Sequence, residues 1–227
     1  MVNIKTIAIV GATGNMGSAI AKSLAKNAKY RLLLMANDQE KLLGLKEELT
    51  KSGTSAEVFT SNCAKEASWE ADIIVVATPY EAEKEVAEKI RQVAVGKIVI
   101  SISNPLNRAY SDLVTSPNSS AAEELQKLLP NSKVVKTFNT TFAADFISPI
   151  IDGKTADAFV AGNNSDAVDT VVGIVRTAGF NPIVAGDLTV SRTLERMQLM
   201  LIQLNMKNNY NWLARWKILY NKQDRNE

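Results

Sequence analysis

Histidine does not occur anywhere in this sequence. Its absence removes the commonest general acid–base, every Ser-His-Asp or Cys-His arrangement, and the commonest metal ligand. Any chemistry must draw on carboxylates, lysine, tyrosine or hydroxyls, or be supplied by a cofactor. Cysteine occurs once, at Cys63, which excludes an internal disulfide framework and a thiolate metal cage. Neither charge sign dominates: 26 basic residues face 24 acidic ones, for a net charge of +2. That balance leaves no electrostatic footprint for nucleic acid or an acidic membrane. No apolar run approaches the ~20 residues that span a bilayer. The stretch from Met1 to Thr13 lacks the apolar core and cleavage site of a signal peptide. The expectation is a cytoplasmic protein with no metal, nucleic-acid or membrane partner.

What is present is a chain of 227 residues, 46% hydrophobic, enough for one large core with a small extension. Its organising stretch runs from Ile4 to Gly17. Ile4 to Val10 is short, β-branched and mostly apolar, as suits a strand buried on both faces of a parallel sheet. Three glycines follow at intervals of three, Gly11, Gly14 and Gly17, and Ile20, Ala21 and Leu24 then recur at helical spacing. Strand, glycine turn and helix form the first unit of a dinucleotide-binding fold. In that unit Gly11 permits a tight turn, Gly14 lets the backbone approach a pyrophosphate, and Gly17 lets the helix sit close to the strand. The helix start offers free N–H groups and a partial positive charge. The spacing is Gly-x-x-Gly-x-x-Gly, because Thr13 stands where the middle glycine commonly falls.

Further strands are expected at 30–36, 56–60, 72–77, 97–101 and 133–137. Helices are expected at 38–50, with Leu42, Leu43, Leu45 and Leu49 facing inward, at 81–93, and from a Ser120–Glu123 capping box to Leu129. Residues 106–118 read as a loop. Six strands alternating with helices give an α/β fold, a doubly wound parallel Rossmann sheet over residues 1–150. Residues 151–227 read as a small C-terminal α/β extension packed on it. It holds strands at 156–161 and 182–185, a helix at 165–177, and a long helix from Thr189 carrying Leu194, Met197, Leu201 and Leu204. Met197, Met200 and Met206 suggest core filling there. Trp212, Trp216 and Tyr220 recur every four residues as the stripe of a final helix, read as packing or the contact of a homodimer. Asn221 to Glu227 is expected to fray.

With strand order 3-2-1-4-5-6, the turns after strands one, four, five and six converge over one crevice. Those turns are rich in amides and hydroxyls: the glycine turn, Thr78-Pro79-Tyr80, Ser103-Asn104-Pro105 and Asn139-Thr140-Thr141. The end of the second strand selects the nucleotide: an acidic residue grips a ribose diol, whereas an arginine accepts the 2′-phosphate of NADP. Here it reads Ala36-Asn37-Asp38, with Asp38 equally suited to a ribose or to capping the next helix. The residues lean mildly to NAD. Two motif matches are misleading. Tyr80-x-x-x-Lys84 precedes the fifth strand instead of following it, and its nearest serine, Ser68, belongs at the other edge of the sheet. Lys207-x-x-x-Asn211 lacks the glycines and the large helical domain that should accompany it.

Taken in order, several segments carry a wider resemblance. They are Gly11–Gly17, Val76-Ala-Thr-Pro-Tyr-Glu81, Ser101-Ile-Ser-Asn-Pro-Leu106, Ser120-Ala-Ala-Glu-Glu-Leu125, Val134-Val-Lys-Thr-Phe-Asn-Thr140, Val160-Ala-Gly162, Ala185-Gly-Asp-Leu188 and Ser191-Arg-x-Leu-Glu195. Over roughly residues 4–206 the chain resembles the NADP-dependent deazaflavin oxidoreductase family, whose relatives include the cytosolic domains of six-transmembrane ferric reductases. The resemblance implies direct hydride transfer between a nicotinamide and a flavin-type ring stacked on it, with no protein acid or base. Carried over residue by residue, Gly11, Thr13, Gly14, Asn15, Met16 and Gly17 would hold the pyrophosphate, and Asn37 and Asp38 would meet the adenosine ribose. Ala77, Thr78, Pro79 and Tyr80 would flank the nicotinamide, and Asn104, Pro105, Asn139 and Thr140 would line the ring-stacking site. The implied partner is a small-molecule redox acceptor, a flavin or deazaflavin. Two departures stand out. The family's Ser-Arg, which holds the 2′-phosphate, is Ala36-Asn37 here, which leaves NADP or NAD open. The histidine of the archaeal deazaflavin reductases is Asn139, as in the ferric-reductase relatives, which keeps an ordinary flavin as an alternative. From another class, the same crevice suits a redox-sensing module that binds NAD(P) without turnover.

Overall fold

The computed structural model describes residues 4–220; the expected tail, Asn221 to Glu227, lies outside them. The glycine turn joins β1 (Lys5–Val10) to α1 (Asn15–Ala25). Then follow β2 (Tyr30–Met35), α2 (Gln39–Lys51), β3 (Val58–Ser61), α3 (Ala64–Glu70), β4 (Ile73–Val76), α4 (Tyr80–Ile90), β5 (Ile98–Ser101), α5 (Ala121–Leu128) and β6 (Lys133–Lys136). A hairpin of β7 (Ile150–Ile151) and β8 (Lys154–Thr155) leads to β9 (Asp157–Gly162), α6 (Ser165–Thr177), β10 (Asn181–Gly186) and α7 (Ser191–Asn208). No helix among the described residues is long and apolar enough to cross a membrane.

The sheet runs β10-β9-β6-β5-β4-β1-β2-β3. Strands β1 to β6 are mutually parallel and in the expected order, which puts the ends of β1 and β4 side by side at the switch point. β9 enters antiparallel to β6, through Val135↔Gly162 and Lys136↔Ala161, and β10 pairs parallel to β9. Residues beyond 150 thus continue the same sheet. β1 shows why its sequence is apolar throughout. Ile7 and Ile9 pack on the face of α1 and α6, and Ala8 and Val10 on the face of α3, α4 and α5.

Several expectations need correction. Leu43 is 54% exposed while Leu42, Leu45 and Leu49 are buried, because a residue one step along a helix turns about 100° off its face. α3 was not anticipated: its buried residues are Ala64, Ala67 and Ser68, too small to show an apolar period. The final helix is absent. Asn209 closes α7 in the left-handed region (φ 54°), and Asn211 (φ 53°) and Trp212 (φ 60°) also have positive φ, so the asparagine-rich run ends the helix. Residues 210–220 instead form an irregular strap. Lys217 pairs with Asp157 at 2.7 Å, Arg215 pairs with Asp145 at 2.9 Å, and the Trp216 carbonyl accepts from the Asp157 N–H at 3.0 Å. Trp216 packs against Phe159 and Leu194, and Trp212 meets the Phe142 ring edge-on, so the aromatics are partly used within the chain. Of the three late methionines only Met197 packs on the core; Met200 and Met206 are exposed, and so is Leu204.

Candidate functional site

The site begins where β1 stops. The N–H groups of Gly11 and Ala12 both donate to the Met35 carbonyl at 2.9 Å, which ties the turn to the end of β2. Gly11 has φ 91°, and a Cβ there would lie 2.7 Å from the Ala77 carbonyl oxygen. A Cβ on Gly17 would collide with the Gly11 carbonyl oxygen. Both glycines are therefore dictated by the fold itself. Gly14 differs: it is exposed, its φ is −69°, and a Cβ would meet nothing nearer than 3.4 Å. It is the N-cap of α1, no side chain caps that end, and no acidic residue lies in the first turn. The helix start thus presents free N–H groups with no competing anion, the arrangement that suits a phosphate.

Beside the turn lies a cleft of about 310 Å³, lined by Gly11, Thr13, Gly14, Asn37, Asp38, Ala77, Thr78 and Pro79 together with residues of α4. The structure thus brings together eight of the expected residues. Asn15 and Met16 continue the turn into α1, where Met16 packs against the core. Asp38 caps α2 while lining the cleft: it accepts from the Lys41 N–H at 3.1 Å and pairs with the Lys41 ammonium at 3.1 Å. Those contacts hold its carboxyl below the usual range. Asn37 is exposed, and among the described residues no arginine lines the cleft; the lysine that does, Lys89, is paired with Glu85 at 2.6 Å.

Further along the crevice the strands end in polar turns that are locked together. Asn139 donates from its amide to Asn104 Oδ1 at 2.9 Å, and Asn104 donates to the Asn139 carbonyl at 2.8 Å. Phe138, which precedes this pair, is fully buried in the left-handed region (φ 57°), held by the rings of Phe146 and Phe180. A bulky residue there carries a cost of order ~1–3 kcal/mol, which the packing offsets. Asn139, Thr140 and Pro105 are buried, and Asn104 is half-buried. Buried oxygens of Thr78, Ser103, Asn139 and Thr140 have no partner among the described residues. Other such groups are scattered through the chain, but these four lie just past the ends of β4, β5 and β6 and could bond the polar edge of a bound ring.

Beneath these tips lies a charged cluster that the sequence reading passed over. Lys136 is fully buried, donating to the Ser103 carbonyl at 2.6 Å and to Glu195 Oε1 at 2.7 Å. Glu195 is also fully buried, and its second oxygen accepts from the Ala121 N–H at 3.1 Å. Arg192 forms a two-pronged pair with Glu123, at 2.9 and 2.5 Å, and Glu123 in turn accepts from the Ser120 hydroxyl at 2.8 Å. The Ser120 oxygen caps α5 through the Glu123 N–H. The two charged residues of the Ser191–Glu195 segment thus fasten α7 to the start of α5 and the end of β6. A lysine inside the apolar run Val-Val-Lys-Thr-Phe was the available signal.

Tyr80 donates to Glu124 at 2.5 Å; burial, reinforced by that bond, pushes its phenol well above the usual range. Ser68 lies at the opposite end of β5, where its carbonyl accepts from Lys97 at 2.7 Å, so the two do not form a catalytic pair.

Residues 6–105 match the family described as NADP oxidoreductase, coenzyme F420-dependent. Over 213 residues the chain is 33% identical to the F420-dependent NADP reductase of Methanocaldococcus jannaschii, covering 88% of this chain and 92% of that protein. A stretch of 116 residues is 32% identical to human metalloreductase STEAP2, covering 51% of this chain and 22% of that one. A solved structure of a candidate F420-dependent NADP-reductase from Arthrobacter sp. FB24 superposes with a TM-score of 0.82 at 23% identity, covering 96% of this chain and 100% of that one. That last likeness speaks to the fold.

Proposed function

The chain belongs to the family of coenzyme F420-dependent NADP oxidoreductases, and from that membership we propose that it transfers hydride between NADP(H) and a deazaflavin seated beside the nicotinamide. The observation that carries the reading is Gly14. Unlike Gly11 and Gly17 it is not required by any close contact inside the chain, and it stands at the uncapped start of α1 facing the cleft. Gly11, Thr13, Gly14, Asn15, Met16 and Gly17 hold the pyrophosphate, and Asn37 and Asp38 meet the adenosine ribose. Ala77, Thr78, Pro79 and Tyr80 flank the nicotinamide. Asn104, Pro105, Asn139 and Thr140 form the wall against which the second ring lies. The cofactors supply the redox chemistry, a hydride passing from one ring carbon to another. The protein supplies proximity and exclusion of water, which suits a chain with no histidine.

Absorbance titration of the purified protein tests this. NADPH or NADH is added in the presence of a deazaflavin, FMN or FAD in turn. NADPH-dependent bleaching of the deazaflavin is expected, and no ring being reduced would contradict the reading. We place the protein in the cytoplasm, where these cofactors circulate. The homodimer is proposed on the exposed Trp212, Leu213, Leu219 and Tyr220 of the strap, and a dimer mass by light scattering is its test.

A further inference from the structure

The buried lysine under the strand tips is bonded directly to the backbone of the crevice wall. Lys136 Nζ donates at 2.6 Å to the carbonyl of Ser103, the residue before Asn104. Glu195 holds the same ammonium at 2.7 Å and is itself anchored by the Ala121 N–H at 3.1 Å. Both side chains are fully buried, so water does not screen the contact. Glu83 of α4, 3% exposed, lies in the same cluster, but among the described residues no hydrogen bond or ion pair joins it to Lys136. The ammonium is therefore aimed by Glu195. The peptide that follows Ser103 is trans, so its C=O and its N–H point in opposite directions. With the Ser103 carbonyl turned into the buried cluster, the Asn104 N–H is turned out of it. Among the described residues that N–H donates to no acceptor. The rest of the turn is committed. Pro105 has no N–H, the Leu106 N–H returns to the Asn104 carbonyl at 2.9 Å, and the Asn104 side chain is engaged with Asn139. Folded chains pair nearly all donors that are withdrawn from bulk water, and this one stands on a half-buried residue with its partner still to come.

We propose that Lys136 is a positioning residue: it fixes the Ser103–Asn104 peptide so that the Asn104 N–H donates to a carbonyl oxygen of the second ring. The inference rests on the function proposed above and names the group that grips the edge of that ring. Its action runs through a single peptide plane. By drawing electron density toward the Ser103 oxygen, the ammonium makes the N–H on the far edge of that peptide a stronger donor. The group recognised is a ring lactam or imide carbonyl, which flavins and deazaflavins share. Hydride arrival adds an electron pair to the ring, and the charge spreads onto the carbonyl oxygens conjugated with it. A donor already aimed at such an oxygen stabilises the transition state more than the ground state. No proton moves and no bond to the protein forms. Lys136 touches neither ring and acts through Asn104.

Proton–nitrogen correlation spectra of the Asn104 amide test this, with and without cofactor. Adding oxidised deazaflavin to wild type saturated with NADP⁺ should move the Asn104 amide proton downfield and slow its exchange about tenfold or more. In Lys136→Met/Glu195→Gln both buried charges leave together, so neither is stranded, and the glutamine still accepts from the Ala121 N–H. The protein alone should then show the Asn104 nitrogen shifted upfield. Single-turnover hydride transfer from NADPH to the deazaflavin should slow about tenfold, with NADPH affinity unchanged. An Asn104 amide that ignores a deazaflavin which wild type binds and reduces would overturn the assignment, and that measurement needs no substituted protein to fold. A folded double variant with the wild-type Asn104 nitrogen shift, or with the wild-type rate of hydride transfer, would overturn the role of Lys136. A wild-type protein that neither binds nor reduces deazaflavin would instead overturn the proposed function, and the assignment with it.

Discussion

Asn104 and Asn139 bond each other twice across the tips of β5 and β6, at 2.8 and 2.9 Å. The pair joins two turns that come from strands neighbouring each other in the sheet, and it is aimed by Phe138 in its left-handed conformation. Asn139→Ala leaves Asn104 with an unpaired oxygen in a half-buried place, a loss of about 1–3 kcal/mol. The wall it stiffens is proposed to hold the second ring, so turnover should fall several-fold while NADPH affinity stays near the wild-type value. Steady-state kinetics set beside calorimetric NADPH binding will separate the two. A drop in NADPH affinity with unchanged turnover would place the pair elsewhere in the mechanism.

The glycine turn invites a paired comparison. In Gly17→Ala the new methyl runs into the Gly11 carbonyl oxygen and lies 3.0 Å from the Ala12 Cα, both backbone atoms that cannot give way cheaply. A destabilisation of about 1–3 kcal/mol is expected in thermal or urea unfolding. Gly14→Ala meets only ordinary contacts and should cost about 1 kcal/mol or less, the difference expected at an N-cap. Its nucleotide affinity should nevertheless fall roughly tenfold, because the methyl occupies the approach to the helix start. Equal NADPH affinity in wild type and Gly14→Ala would argue against a pyrophosphate at this turn.

Much of the fold and part of this site were legible in sequence because short apolar runs and glycine spacing record close backbone packing directly. Ile7 to Val10 is apolar because both its faces are buried, and Gly11 and Gly17 are glycine because backbone atoms fill the space a Cβ would take. α3 left no trace, since alanine and serine bury as well as leucine against a close neighbour while showing no period. The strap at 210–220 misled for the opposite reason: aromatics spaced by four imitate a helix, while positive φ at Asn211 and Trp212 and ionic anchors to Asp145 and Asp157 decide otherwise. The cluster of Lys136, Glu195 and Glu83 joins residues far apart in sequence, and no local pattern reports such a meeting.

Glu83 makes stability depend on pH in a definite direction. Its carboxyl is raised from an ordinary 4.5 to about 7, mainly by burial, so the folded protein holds that proton more tightly than the unfolded chain. The resulting stabilisation is complete below pH 4.5 and is lost as pH rises through about 7. Between pH 5 and 8 the melting temperature of wild type should therefore fall relative to Glu83→Gln. Parallel curves for the two proteins would refute it.

Nucleotide choice should be soft. Among the described residues no arginine lines the cleft beside Asn37, and Lys41 is engaged with Asp38. A charge-assisted bond is worth about 1.5–3 kcal/mol, so Asn37→Arg should tighten NADPH roughly ten- to a hundredfold and leave NADH nearly unchanged. Dissociation constants for both nucleotides with both proteins provide the check. If wild type already prefers NADPH more than about tenfold and the substitution adds nothing, another group holds the 2′-phosphate.

Direct hydride transfer requires the two rings to be held together in one crevice. It is tested by a single turnover with NADPH carrying deuterium at the transferred position of the nicotinamide, followed by mass spectrometry of the deazaflavin. Deuterium bound to carbon in the reduced deazaflavin is expected, with none lost to water. Reduction with the label released to solvent, or no reduction of the ring at all, would contradict it.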